Sequence, residues 1–212
     1  MRQGTVLSDA ASDGYEPLGA FGQPVHESYV QLRAAVQNRL GARYADFFAR
    51  PQLDDQAGRI RWVAPITGDV RHWRDLPREE QTARALDLQI MRSQFRAYLD
   101  ELRADPAAAG DGGGQAFAAV LEQALKTPDD GHLHFVGDQP VASFWGFRGV
   151  GAEPFEPLSA APPPLTAAAE PRPSSSTAAA PSVDDAPQAE RGWAWPWWLL
   201  LLLLLLLLAL AL

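Results

Sequence analysis

The last 20 residues, Trp193 to Leu212, constrain this chain more than any other stretch. They carry no charge and place ten consecutive leucines, Leu199 to Leu208, behind a cluster of four tryptophans. A helix buried in a water-soluble domain is rarely so purely leucine. As a helix the run is about 30 Å long, the thickness of a bilayer's hydrocarbon core. Trp193, Trp195, Trp197 and Trp198 gather at one end, as indoles do at a membrane interface. The expectation is one transmembrane helix over 193–212, with the lipid bilayer as a partner. Only 14 residues follow Trp198, about 21 Å of helix, and no polar residue closes the far side. Two readings stand: a tail anchor that ends within the membrane, or a piece of a longer protein cut inside the helix. The second is preferred.

Residues 157–192 are dominated by Ala, Pro and Ser, with the runs Pro162-Pro163-Pro164 and Ser174-Ser175-Ser176. Their only large aliphatic residues are Leu158, Leu165 and Val183. So little apolar surface cannot offset chain entropy, so a disordered linker is expected there. About 156 residues remain, enough for one domain with its own core. The overall 47% hydrophobic content overstates that domain, because the terminal run supplies 19 of those residues. Zero Cys excludes a disulfide scaffold, Cys-liganded zinc and iron–sulfur clusters. The chain has 18 basic and 26 acidic residues, a net charge of −8, which argues against nucleic acid as a partner. The first residues lack the apolar stretch of a secretory signal. The expected orientation therefore places the N-terminal domain in the cytoplasm, with the membrane helix behind it.

Along the domain, residues 1–20 read as a flexible polar lead. Tyr29, Leu32, Val36, Leu40, Tyr44, Phe47 and Phe48 recur at spacings of three and four, predicting one helix over 27–49 that stops at Pro51. Ile60 and Trp62 alternate with Arg59 and Arg61, a half-buried strand, and 58–73 reads as a small hairpin returning through Val70-Arg71-His72-Trp73. Pro77 with Glu79 and Glu80 opens the longest helix, expected over 77–104, with Leu88, Met91, Phe95, Tyr98 and Leu102 as its apolar stripe. A glycine-rich loop over 105–114 precedes a third helix at 115–126. Two alternating runs around Gly137-Asp138-Gln139 predict a second hairpin with a three-residue loop. Val141, Ser143, Trp145 and Phe147 would line one face of it, and Ala142 and Phe144 the other. The expected fold class is α+β: a small antiparallel sheet of two hairpins with about three helices over 21–156, then the linker and the transmembrane helix.

No catalytic constellation is visible. There is no G-x-S-x-G, Walker A loop or dinucleotide fingerprint. His132 and His134 share a strand face that a metal could use, with His26, His72 or Asp138 as a third ligand, but nothing in the spacing demands it. The expectation is no catalytic residue, no cofactor and no metal. Asp54-Asp55 and Asp129-Asp130 read as solvated turns. The aromatics Phe135, Phe144, Trp145 and Phe147, with Trp62 and Trp73, read mainly as core. However, alternation places rings on both faces of the second hairpin. If helices cover one face, Phe144 and Phe135 become candidates for binding a partner protein.

Three stretches also carry a resemblance: Gly22-Gln23-Pro24-Val25-His26-Glu27-Ser28 leading to Leu32-Arg33, the strand Arg59 to Pro65 with Gly68 and Trp73, and Gly137-Asp138-Gln139-Pro140-Val141 running to Phe144-Trp145-Gly146-Phe147. Over about residues 20–148 the chain resembles the N-terminal part of SrfA-type bacterial virulence-factor proteins. The resemblance also extends to the layout of soluble head, proline-rich stretch and Leu-rich membrane helix. It implies SrfB- and SrfC-type protein partners and supplies no enzymatic residues. The expected function is that of a membrane-anchored, non-catalytic interaction or assembly protein. The alternative is a membrane-attached enzyme or ligand-binding module whose site is dispersed in sequence. A deep pocket holding perturbed titratable groups would favour the second, and an exposed aromatic surface the first.

Overall fold

Strand β1 (Val6–Ala11) pairs antiparallel with β6 (Arg59–Val63), in a register that sets Asp9 opposite Arg61 and Ala11 opposite Arg59 and brings both arginines to the Asp9 carboxylate. The Asp9 carboxylate accepts from Arg59 Nε at 2.9 Å and from Arg61 Nε and Nη2 at 3.0 and 2.9 Å. These arginines hold the Asp9 carboxyl below its ordinary range. In the computed structural model, which describes residues 4–54, 56–104 and 113–161, the lead expected over 1–20 is therefore largely built into the fold. β2 (Tyr15–Pro17) and β3 (Gly19–Ala20) follow β1 directly, and β3 turns into β4 (Gln23–Pro24).

The helix expected over 27–49 is shorter and broken. After a 3-10 turn at Val25–Ser28, α1 runs Tyr29–Leu40 and stops at Gly41, whose φ of 99° leaves the helical region. One further turn, α2 (Ala42–Ala45), precedes a return into strand. Pro51 does not end the segment. It sits inside β5 (Arg50–Asp54), opposite Trp62, on the edge of the sheet β1-β6-β5, where a residue without an N–H is tolerated. The strand over 59–63 is as expected, but its partners are not: β6 pairs with β1 and β5, while β7 (Val70–His72) pairs with β8 (Leu133–Val136).

The long helix α3 (Arg78–Ala104) matches its expectation, burying Leu88, Met91, Phe95, Tyr98 and Leu99. α4 (Gly113–Ala124) buries Ala118, Leu121 and Ala124. β8 and β9 (Gln139–Ala142) form the second hairpin around a two-residue turn, not a three-residue one, since Val136 pairs with Gln139 and Gly137 takes φ 60°. A short strand β10 (Phe147–Gly149) then pairs with β2. The architecture is thus α+β, with small antiparallel sheets and about four helices.

A continuous aromatic core joins these parts. Phe95 of α3 meets Phe47 and Phe48, Phe48 meets Trp145, and Trp145 meets Trp62. The Trp145 indole N–H donates to the Ala49 carbonyl at 2.7 Å, and Ala142 N–H donates to Phe47 O at 2.7 Å, stitching the 47–49 segment to β9. The expected linker boundary at 157 also moves. Leu158 and Ala160 are buried, and Arg92 of α3 grips Glu156 through two contacts of 2.8 and 2.7 Å. The linker beyond residue 161 and the transmembrane helix over 193–212, with Trp193, Trp195, Trp197 and Trp198, lie outside the described residues. Among the described residues no helix is long and apolar enough to cross a membrane.

Candidate functional site

Three histidines and one serine converge where β7, β8 and the end of β9 meet. His72 lies opposite His134 across the β7–β8 pair, with ring centroids 4.6 Å apart. His134 Nε2 is 2.8 Å from Ser143 Oγ, and His132 Nδ1 is 3.5 Å from the same oxygen. On its other side His132 Nε2 is 3.8 Å from Asp129 Oδ1. His132 closes a 3-10 turn, while His134 stands inside β8. A hydroxyl between two imidazoles, one of them near a carboxylate, is the side-chain inventory of nucleophilic catalysis.

Access decides against that use. Ser143 is fully buried and His134 is 1% exposed. Phe144 lies 5.0 Å from the His132 ring and Tyr15 lies 5.4 Å from it, closing the cluster on that side. His134 Nδ1 has no hydrogen-bond partner, so no third group orients that imidazole. Desolvation pushes His134 down to about 3 and lowers His132 as well, which keeps both neutral near pH 7. The remaining sequence candidates for a metal site are elsewhere. His26 stacks on Phe147 at 4.7 Å, and Asp138 sits on the β8–β9 turn, 3.2 Å from Arg84. Among the described residues no group of three His, Cys, Asp or Glu side chains is arranged so that it could hold a metal ion.

Phe144 and Phe135 do not form a docking surface. Phe144 is fully buried and Phe135 is 1% exposed. The strand expected to continue through 147 breaks after Ala142, and Phe144 takes φ 49°. Its ring packs 4.2 Å from Tyr15 and 5.2 Å from Trp62. The face that alternation left open is thus covered by the N-terminal segment carrying β1 and β2. Phe135 is capped by the Arg84 guanidinium, 4.5 Å from the ring centroid.

The clefts hold other chemistry. One of about 330 Å³ lies between α3, α4 and the turn at Pro157–Ser159. Its arginines are met by acids, Arg92 by Glu156 and Arg103 by Glu122. Another, of about 340 Å³, is walled by Tyr15, His26, Ile60 and Phe147. Burial lowers His26 there. Neither cleft is lined by Ser143, His132 or His134.

The exposed aromatic feature is one that sequence reasoning missed. Phe21 is 75% exposed, and it is the one aromatic among the strongly exposed large apolar residues described. It sits at the tip of the β3–β4 hairpin. Ala20 pairs with Gln23 there, so Phe21 and Gly22 make a two-residue turn with φ 53° and 79°. Such a turn needs positive φ at both positions and is usually built from Asn-Gly, Asp-Gly or Gly-Gly. A phenylalanine in the left-handed region costs about 1 kcal/mol or more. At this exposed apolar tip no burial offsets that strain. The sequence signal was a lone aromatic before glycine in Gly19-Ala20-Phe21-Gly22.

No protein-family model, curated protein or solved structure matches this chain.

Proposed function

We propose that the chain is a membrane-tethered interaction module, a binding protein rather than an enzyme, whose contact element is the Phe21 hairpin. The observation that carries this reading is the strained, 75% exposed Phe21, set against a serine and a histidine, Ser143 and His134, that are buried at the centre of the histidine cluster. The tether is the Ala/Pro/Ser-rich stretch and the anchor is the uncharged Trp193–Leu212 segment. In this reading the head is cytoplasmic and the anchor lies in a bacterial inner membrane. By its resemblance to SrfA-type virulence factors, the head would assemble with SrfB- and SrfC-type proteins. The test is carbonate extraction of cell membranes. The full chain should stay in the pellet, and a chain ending at residue 192 should be released. A full chain that is extracted by carbonate would refute the anchor.

A further inference from the structure

We infer that the partner of the Phe21 hairpin is the surface of the lipid bilayer itself, an inference that rests on the membrane-tethered reading above. Two features beyond the exposed ring point to it. First, the hairpin's own segment is uncharged, although 21% of the chain is charged. Residues 17–26 contain no Asp, Glu, Lys or Arg. The helix packed beside β3, α4, has Glu122 as its single charged residue. Protein interfaces ordinarily carry a polar rim that fixes register. Burial in the interfacial layer of a membrane needs no such rim and penalises charge. Second, the reach is short. The 31 residues from 162 to 192 span at most about 110 Å, against a radius of gyration of about 15 Å for a head of this size. An anchored head would therefore meet the bilayer at an effective concentration on the order of 1 mM, so a weak single-ring contact suffices.

The lipid chemistry follows from the nearest charges along the chain. Glu16, on β2, is paired with Arg148 at 2.6 Å, and Glu27, in the 3-10 turn after β4, is exposed. The protein's net charge is −8, and no cluster of basic side chains flanks the hairpin in sequence. Contact should therefore be made with neutral, zwitterionic headgroups and weaken as anionic lipid is added. Phe21 would enter the headgroup–acyl boundary with the hairpin backbone as a rigid stem.

The absence of Cys allows a single-site probe. Gln23→Cys, on the exposed edge of the hairpin, carries an environment-sensitive dye in the full chain reconstituted into phosphatidylcholine vesicles. Asp138→Cys, on the exposed β8–β9 turn, is the reference. The expected result is quenching at the Gln23 position by lipids spin-labelled near the headgroup, at least threefold stronger than at the Asp138 position. Phe21→Asn, a substitution suited to left-handed backbone, should lower it to the reference level while vesicle flotation is unchanged. Equal accessibility of the Gln23 dye to aqueous iodide with and without vesicles, in a chain that floats, overturns the bilayer contact and leaves the anchor intact. Quenching that survives Phe21→Asn overturns the role of the ring. Shielding that arises only when detergent-extracted membrane proteins are added overturns the proposal in favour of a protein partner. A chain that fails to float overturns both this inference and the tethered reading.

Discussion

Two phenylalanines in this protein share a conformation that phenylalanine rarely adopts, and they meet opposite fates. Phe144, with φ 49°, is fully buried between Tyr15 and Trp62, whereas Phe21, with φ 53°, projects into solvent. At Phe144 the strain is offset by the area removed from water, since burying an aromatic side chain is worth about 1.5–3 kcal/mol. At Phe21 the hairpin forms despite its turn residue. The first is offset by burial within the fold that contains it, and the second is not.

The largest effect that would test this contrast is at the buried member. Phe144→Ala removes a ring that touches Tyr15, Trp62, His132 and Phe147 and should cost about 3–5 kcal/mol. Trp145→Ala should cost a similar amount, because it also leaves the Ala49 carbonyl without its donor. Urea denaturation of the full chain in detergent would read both. A loss below 1 kcal/mol for Phe144→Ala would mean that the ring is not held as described, and the contrast with Phe21 would dissolve.

The same corner contains Gly146, with φ 73°. A Cβ there would lie 2.5 Å from Val25 Cγ2, while its amide donates to Lys126 O at 2.8 Å and its carbonyl accepts from Leu18 N–H at 2.7 Å. Gly146→Ala therefore combines left-handed strain with a steric conflict and should destabilise by about 2–3 kcal/mol. Gly22→Ala, at φ 79° with nothing within 4 Å of its Cβ, meets the strain alone and should cost about 1 kcal/mol. The difference between the two, measured by denaturation, isolates how tightly each turn is enclosed.

Acid should act on the buried His134 and spare the Phe21 hairpin. His134 is held near 3 by burial, with the neighbouring His72 and His132 adding to the shift, whereas an unfolded His titrates near 6.5. Above pH 6.5 His134 is neutral in both states and stability is highest. As pH falls from 6.5 toward 3 the unfolded chain takes up a proton that the folded chain refuses. Stability then drops by about 1.4 kcal/mol per pH unit for this group. His132, also lowered, acts with the same sign. At pH 5 the loss from His134 should be about 2 kcal/mol, and His134→Gln should flatten that slope in denaturation curves between pH 7 and 5.

Which parts could be read from sequence follows from how local their causes are. α3 was legible because Pro77, Glu79 and Glu80 open it and Leu88, Met91, Phe95 and Tyr98 repeat on one face. β6 was legible as a strand, yet its partners were not. β1 lies some 50 positions away and reads as polar, its register fixed by Asp9 meeting Arg59 and Arg61. β5 was hidden by Pro51, which is acceptable there because β5 is an edge strand. Alternation placed Phe144, Trp145 and Phe147 on the two faces of the second hairpin, but its strand ends at Ala142 and they follow it. It could not show that residues 6–17 would cover the open side, nor that the backbone would turn at Phe144. The histidines were each visible; His132, His134 and Ser143 meet through the β8–β9 hairpin, and His72 joins them only through the β7–β8 pairing. Phe21 escaped notice because β3 and β4 are two residues each and produce no periodicity.

The smallest expected effect is the most pointed, since it has the opposite sign. Asparagine tolerates the left-handed region better than any other non-glycine residue, and Asn-Gly is the favoured sequence for this turn. Phe21→Asn removes a ring that is 75% exposed, so little buried area is lost. It should therefore stabilise the head by about 1 kcal/mol, which raises the midpoint of a domain of about 150 residues by about 2–4 °C. The same substitution at Phe144 should destabilise strongly, because there the lost burial outweighs the relieved strain. Thermal unfolding of the two variants side by side would measure both signs at once. A chain that becomes more stable on losing Phe21 keeps that ring at a cost to its own fold. A loss of stability instead would show that the ring packs against the head, and the argument for an outward-facing contact element would fail.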